Sequence, residues 1–250
     1  MRKILAVLRL ILVLFSFTAA GVDFFFRLWL TGRAKSIPIR AKWMSFWASV
    51  YFKQLGGKVN YDGIPPASGV LASNHLSYID ILTYGSICPM VFVSKSEVRD
   101  WPIIGKLTQF AGTLYIRRQV RGDVLPLAEQ MAAVAKEGPL ITLFLEGTST
   151  GGDQVLPFRS SLMAPVEEQG LPVTPAWIHY SMKNGSVSDE VCYWRDMTLG
   201  PHLFNLLCKD GFEAHVSFGK TITEKMDRKA ISKELHTRVC EMREQYLSKK

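Results

Sequence analysis

A chain of 250 residues with 48% hydrophobic side chains has material for one substantial core and some appendages. Its 30 Lys and Arg against 22 Asp and Glu leave a formal charge of +8, which suits an anionic membrane surface, acidic ligands or nucleic acid. Nucleic acid is set aside, because 14 Phe and 6 Trp are heavy for such a binder and no zinc spacing, aromatic RNA-binding signature or basic heptad region is present.

The first element is apolar: Ile4 to Leu8, then Leu10 through Val22 without a charge, then Phe24-Phe25-Phe26 and Leu28-Trp29-Leu30. Arg2, Lys3 and Arg9 precede the long run, and Asp23 and Arg27 interrupt it. Met1-Arg2-Lys3 with Thr18-Ala19-Ala20 has the form of a signal peptide, but apolar character resumes after Ala20, so a retained anchor is the reading. A helix of about 20 residues spans a bilayer and one with charges inside it can lie in the interface; both stay open. Trp29, Trp43 and Trp47, near Arg27, Arg33, Arg40 and Lys42, suit the membrane–water boundary. Gly32 to Pro38 breaks the helix, and Ala41 to Leu55 reads as a second, amphipathic one.

Strand-like runs follow at Val59 to Tyr61, Val70 to Ala72, Val91 to Ser94, Thr113 to Ile116, Leu140 to Leu145 and Val173 to His179. Helical spacing of Leu125, Leu127, Met131 and Val134 lies between Val120 and Lys136, and Gly138-Pro139 ends it. Alternating strand and helix signals predict an α/β fold with a mostly parallel sheet flanked by helices. Ala214 to Phe218 alternates and reads as an edge strand. Lys225 to Lys250 carries Ile231, Leu235, Val239, Met242 and Leu247 on one stripe and reads as a surface helix. Residues 1-56 are therefore taken as membrane-associated helices and residues 57-250 as the α/β domain.

His75 comes straight after the apolar Val70 to Ala72, at the carboxyl end of a strand, where open α/β sheets place their ligands. A neutral imidazole there can take a proton from a hydroxyl, and Asp80, one turn into the next helix, can fix its tautomer. Ser77-x-x-Asp80 is equally a capping-box variant. Downstream, Gly112 to Arg118 is a strand ending in two guanidinium groups, Arg117 and Arg118, whose forks match phosphate or carboxylate. In Leu143-Phe144-Leu145-Glu146-Gly147-Thr148-Ser149 a buried strand enters a turn; Glu146 offers acceptor oxygens and Gly147 lets backbone come close. Leu156-Pro157-Phe158-Arg159 adds another cation, and Val173-Thr174-Pro175 closes a further strand. Each has a plain structural reading as a solvated charge or a turn.

In this order the blocks resemble the glycerolipid acyltransferase family typified by 1-acylglycerol-3-phosphate acyltransferases. The likeness runs from about Gly57 to Tyr180 and rests on Asn74-His75 with Asp80, Gly112 through Arg118, Phe144 with Glu146-Gly147-Thr148, and Val173 with Pro175. It implies that His75 is the general base and that Asp80 orients it. Asn74, Arg117, Arg118, Glu146, Gly147, Thr148 and Arg159 are then placed at the substrate. The resemblance further implies direct transfer from acyl-CoA or acyl carrier protein to a lysolipid hydroxyl, without a covalent acyl-enzyme and without a cofactor. The enzyme would act on membrane lipids, membrane-associated, with its active site facing the cytoplasm. Two departures stand out: Leu145 replaces the family's Pro, and Ser149 replaces an Arg expected near the acceptor phosphate. The latter, with Trp194-Arg195-Asp196-Met197 and His202-Leu203, resembles the lyso-ornithine-lipid acyltransferase branch, so either lyso-ornithine lipid or 1-acylglycerol-3-phosphate is the expected acceptor.

Two rival classes have their own residues. Gly147-Thr148-Ser149-Thr150-Gly151 matches the Gly-x-Ser-x-Gly elbow of serine hydrolases, with Asp196 and His215 or His236 in the usual chain order, but Gly151-Gly152-Asp153 and Pro157 make a loop where the elbow needs a helix. A non-catalytic lipid-binding protein on the same fold would have no use for both His75 and Asp80. Val91-Phe92-Val93 and Trp101-Pro102-Ile103-Ile104 are expected to line an acyl groove or the core, and Lys95, Arg99 and Lys106 to meet donor phosphates or an acidic carrier. Cys88, Cys192, Cys208 and Cys240 are scattered thiols and not a disulfide framework. No metal is expected, because no His pair has a third ligand at suitable spacing.

Overall fold

The runs Val70–Ser73 and Leu140–Phe144 have almost no polar residue to turn to water, so they fit only the middle of a sheet covered on both faces. In the computed structural model, which describes residues 2–31, 36–117 and 124–249, every residue of both runs is buried. They are β2 and β5. Their partners are β1 (Gly57–Asp62), β3 (Met90–Lys95), β4 (Leu114–Ile116), β6 (Val173–Ser181) and β7 (Phe212–Phe218). The described sheet has the order β1-β7-β6-β2-β5-β3-β4. From β6 to β4 all neighbours are parallel; β7 runs antiparallel to β6 and parallel to β1. The Ala214–Phe218 segment is thus an interior strand and not the expected edge. Its alternating pattern reflects one face less covered than the other, while β1 takes the edge.

Successive strand residues face opposite sides of a sheet, and the core divides accordingly. Leu71, Leu76, Phe92, Phe144, Ile178 and Tyr180 pack on one face with Phe52 of α2 (Ile37–Gln54) and Leu55 just past its end, Ile79 and Tyr84 of α3 (Ile79–Ile87) and Leu206 of α8 (Leu199–Leu207). Val70, Ala72, Val91 and Leu143 pack on the other. There they meet Leu127, Met131 and Val134 of α5 (Val124–Glu137), Val166 of α6 (Ala164–Gln169), and Ile231 and Leu235 of α9 (Arg228–Leu247). Asp227 caps α9 by accepting from Lys229 N at 2.8 Å and Ala230 N at 3.0 Å. Two short helices, α4 (Ile104–Phe110) and α7 (Val187–Glu190), sit in connections.

α1 (Arg2–Thr31) packs lengthwise on this body. Ala6, Val13, Ala20 and Phe24 are buried on its inner stripe. Arg9 Nη1 donates to the carbonyls of Leu207 and Lys209, which closes the C-terminal end of α8. Trp43 and Trp47, expected at an outer boundary, instead face inwards: both are buried against α1, with Trp43 Nε1 donating to Ala20 O and Trp47 Nε1 to Asp23 Oδ2. Trp29, by contrast, is 77% exposed, as are Ile4, Leu8, Ile11, Phe15, Phe25 and Phe26 to a lesser degree.

Candidate active site

β2 ends at Ser73 and α3 begins at Ile79, so residues 74–78 turn at the carboxyl edge of the parallel strands. The turn is held by side chains acting as backbone. Asn74 sends Nδ2 to Ile178 O (3.0 Å) and takes Ile178 N on Oδ1 (2.9 Å), continuing the β2–β6 pairing one residue past the strand. Asp80 is fully buried and accepts four donors. Oδ2 receives His75 Nδ1 at 2.7 Å, Leu76 N at 2.7 Å and Ser77 N at 3.1 Å; Oδ1 receives Tyr180 Oη at 2.7 Å. The capping and orienting roles of this carboxylate are therefore one arrangement. A carboxylate accepts only, so His75 carries its proton on Nδ1 and presents Nε2 as an acceptor. Nε2 has no hydrogen-bond partner among the described residues. The ring stacks on Phe144 of β5 at 4.1 Å and 16°, which fixes its plane.

The turn after β5 comes up beside it. Thr150 N donates to His75 O (3.0 Å), Leu145 N to Ser73 O (3.1 Å), and Tyr193 N to Leu76 O (2.8 Å). Glu146 is 2% exposed, and neither carboxyl oxygen has a hydrogen-bond partner. Burial pushes its carboxyl up to about 8; the nearby amides of His75 and Leu156 offset this only in part, and the Asp80 charge adds to it. Gly147 has φ +72°, and a Cβ there would lie 2.6 Å from Arg159 Nε, so glycine lets the Arg159 guanidinium rest over the turn. Among the described residues no group of three His, Cys, Asp or Glu side chains converges to hold a metal ion.

A model of the Acyltransferase family matches residues 58–179, a span that holds the His75 turn and the Glu146 turn together. The lyso-ornithine lipid O-acyltransferase of Brucella abortus is 32% identical over 184 residues, covering 68% of this chain and 69% of that one. The lyso-ornithine lipid O-acyltransferase of Pseudomonas aeruginosa is 32% identical over 199 residues, covering 79% and 76%. The chain belongs to the acyltransferase family. Its fold is that of the 1-acyl-sn-glycerophosphate acyltransferase PlsC of Thermotoga maritima, whose crystal structure superposes with a TM-score of 0.67 over 97% of this chain and 98% of that one, at 21% identity.

In this acyltransferase the structure brings together His75, Asp80, Glu146, Gly147 and Arg159, with Thr148 exposed on the same turn. Asn74, expected at the substrate, has both ends of its amide committed to Ile178, because the strand pairing would otherwise stop at Ser73. Arg117 stands at the end of β4, the outer strand, three strand spacings (about 14 Å) from β2. Arg118 lies outside the described residues. Ser149 shows no hydrolase triad: its hydroxyl donates to Tyr193 O at 2.5 Å, while His215 faces Asp62 and Ser217, and His236 faces Val155 O and Phe158. No helix follows it. His202, within α8, is buried and bonded to Tyr78 Oη and Cys192 O, and burial lowers its basicity. Tyr180 and the stacking role of Phe144 were missed from sequence. Tyr180 lies 100 residues from Asp80, and only its place one step past the predicted strand end hinted at burial.

Proposed function

We propose that this acyltransferase moves a fatty acyl chain from a thioester, acyl-CoA or acyl carrier protein, to the hydroxyl of a membrane lysolipid, with lyso-ornithine lipid as the acceptor. The observation that carries the reading is His75: Nδ1 is held by buried Asp80 while Nε2 is left open at the carboxyl edge of the sheet. Nε2 takes the acceptor's proton as its oxygen attacks the thioester carbonyl. The C–O bond forms, the C–S bond breaks, and the departing sulfur receives the proton from the imidazolium that Asp80 stabilises. A thioester is already activated, so one base and correct positioning suffice and no acyl-enzyme is needed.

Glu146, Gly147, Thr148 and Arg159 hold the head group in this reading, with Arg117 further along the edge and Arg118 as a further substrate cation. The ornithine head group presents a carboxylate and an ammonium; Arg159 suits the first, and the unpartnered Glu146 carboxyl suits the second and would ionise on meeting it. Ser149, tied to Tyr193 O, stands where a phosphate-binding guanidinium is expected, which favours this acceptor over 1-acylglycerol-3-phosphate.

The reading also places residues 1-56 on the cytoplasmic leaflet and the α/β domain, residues 57-250, above it. α1 is long and apolar enough to cross a membrane. It is clasped by the body from Arg9 to Phe24, about 23 Å of helix, however, and crossing would carry charged Lys209 and Asp210 into the bilayer. A helix lying in one leaflet, outer face down, fits both facts.

The test uses membranes bearing the wild type and His75→Ala, an acyl thioester, and separate lyso-ornithine, lysophosphatidate and other lysophospholipid acceptors. Thiol release coupled to acylated lyso-ornithine lipid, lost in the variant, is expected. Transfer to lysophosphatidate alone would overturn the acceptor, and His75-independent transfer would overturn the mechanism.

A further inference from the structure

β3 leaves the sheet at Lys95, on the same carboxyl edge that carries His75, and a short helical turn over Ser96–Asp100 follows. α4 must then start hard against that turn: a Cβ at Gly105 would lie 2.2 Å from Arg99 O. The chain reverses over Trp101-Pro102-Ile103 to manage it. Ile104 N donates to Pro102 O at 2.6 Å, and the residue between, Ile103, has φ 61° and ψ −62°. This is the rare hand of γ-turn, strained for any L residue and most of all for a β-branched one. Glycine would take it freely.

The strain holds nothing inside. Trp101 is 42% exposed and Ile103 54%, so the expected groove or core lining is instead a projecting apolar tip. Strain that persists without burial asks for a role at the surface. Lys95, Arg99 and Lys106 surround the tip, with Glu97 and Asp100 leaving it one net positive charge. The tip also continues the apolar surface of α1. At the other end of α4, about 10 Å away, Phe110 stacks on Phe24 at 4.3 Å and meets exposed Phe25 at 5.5 Å. A Trp and an Ile beside cations, continuous with the outer face of an apolar helix, match the boundary between acyl chains and anionic head groups.

We propose that the Trp101–Ile103 turn is a second membrane-contacting element, inserted in the same leaflet as α1, which sets the His75 edge of the sheet against the bilayer surface. The proposal rests on the reading that α1 lies on that leaflet. Two points of contact fix a tilt that one helix alone leaves free, and a lysolipid can then reach the site without leaving the membrane.

The test uses the full chain on phosphatidylethanolamine–phosphatidylglycerol vesicles with brominated acyl chains, which quench tryptophan on contact. Wild type compared with Trp101→Phe isolates the Trp101 emission, and wild type compared with Trp29→Phe isolates α1. Quenching of both is expected. Trp29 quenched with Trp101 unaffected leaves the anchor standing and overturns the tip; neither quenched overturns both. Ile103→Gly relieves the backbone, so its Tm is expected to hold or rise while transfer to vesicle-embedded lysolipid falls about tenfold, the partition of one aliphatic side chain. Transfer in detergent micelles is expected to stay near wild type. An equal loss in micelles, or a raised KM for acyl carrier protein with vesicle binding intact, overturns the proposal, the latter in favour of a donor-docking surface.

Discussion

Tyr180 supplies the fourth donor to Asp80, and its loss separates positioning from packing. Tyr180→Phe keeps the ring and leaves Asp80 Oδ1 buried without a partner. With one donor fewer the carboxylate holds the imidazole less firmly in place, so kcat is expected to fall about tenfold with KM unchanged. A residue that only filled space would leave kcat in place, since the ring is kept. Glu146 has the opposite problem, an acid with too few donors. With its folded-state carboxyl at about 8 against an ordinary 4.5, the native chain keeps a proton that the unfolded chain releases between those values. The stability linked to it is fully present below about pH 4.5 and lost as pH rises through 8, of the order of a few kcal/mol. Glu146→Gln removes the titration. Thermal melts at about pH 6 and about pH 9 are expected to differ less in the variant than in the wild type, while acyl transfer is lost with the head-group contact.

Among elements, the Asn74 amide makes β2 one residue longer than its backbone does. Asn74→Ala leaves the N–H and C=O of Ile178 buried and unpaired, a loss of about 3 kcal/mol and roughly 10 °C in Tm for a chain of this size. Calorimetry checks it, and a variant melting with the wild type would show that the strand pairing does not need the amide. The same residue shows where reading from sequence stops. The buried strands, α5 and α9 were legible because continuous apolar runs and 3.6-residue periods are local signals. The His75–Asp80 pair was legible because both members lie within one turn. The use of Asn74 as a mimic of backbone, the bond from Tyr180 to Asp80 and the interior place of β7 depend on contacts about 100 residues away or on strand order, which no local pattern encodes. Trp43 and Trp47 misled for the same reason: an aromatic pair near cations reads alike whether it faces lipid or the flank of a neighbouring helix.

At the scale of the whole molecule, charge and apolar area act on the same surface with different ranges. A net charge of +8 would draw the chain to an anionic leaflet, but such attraction is screened within about 8 Å at physiological salt and within about 3 Å at 1 M. The outer face of α1, with Ile4, Leu8, Ile11, Phe15 and Phe25 exposed, is indifferent to salt. Partition onto phosphatidylglycerol vesicles is therefore expected to weaken as salt rises and then level off at a finite value, which phosphatidylcholine vesicles reproduce at any salt. Ile11→Ser with Phe15→Ser is expected to lower the plateau and leave the salt-dependent part intact, without lowering Tm, since both side chains face outwards. Sedimentation with vesicles measures both parts. Binding that salt removes entirely would make the chain a purely electrostatic visitor, and α1 would then have to bury its outer face against something other than lipid.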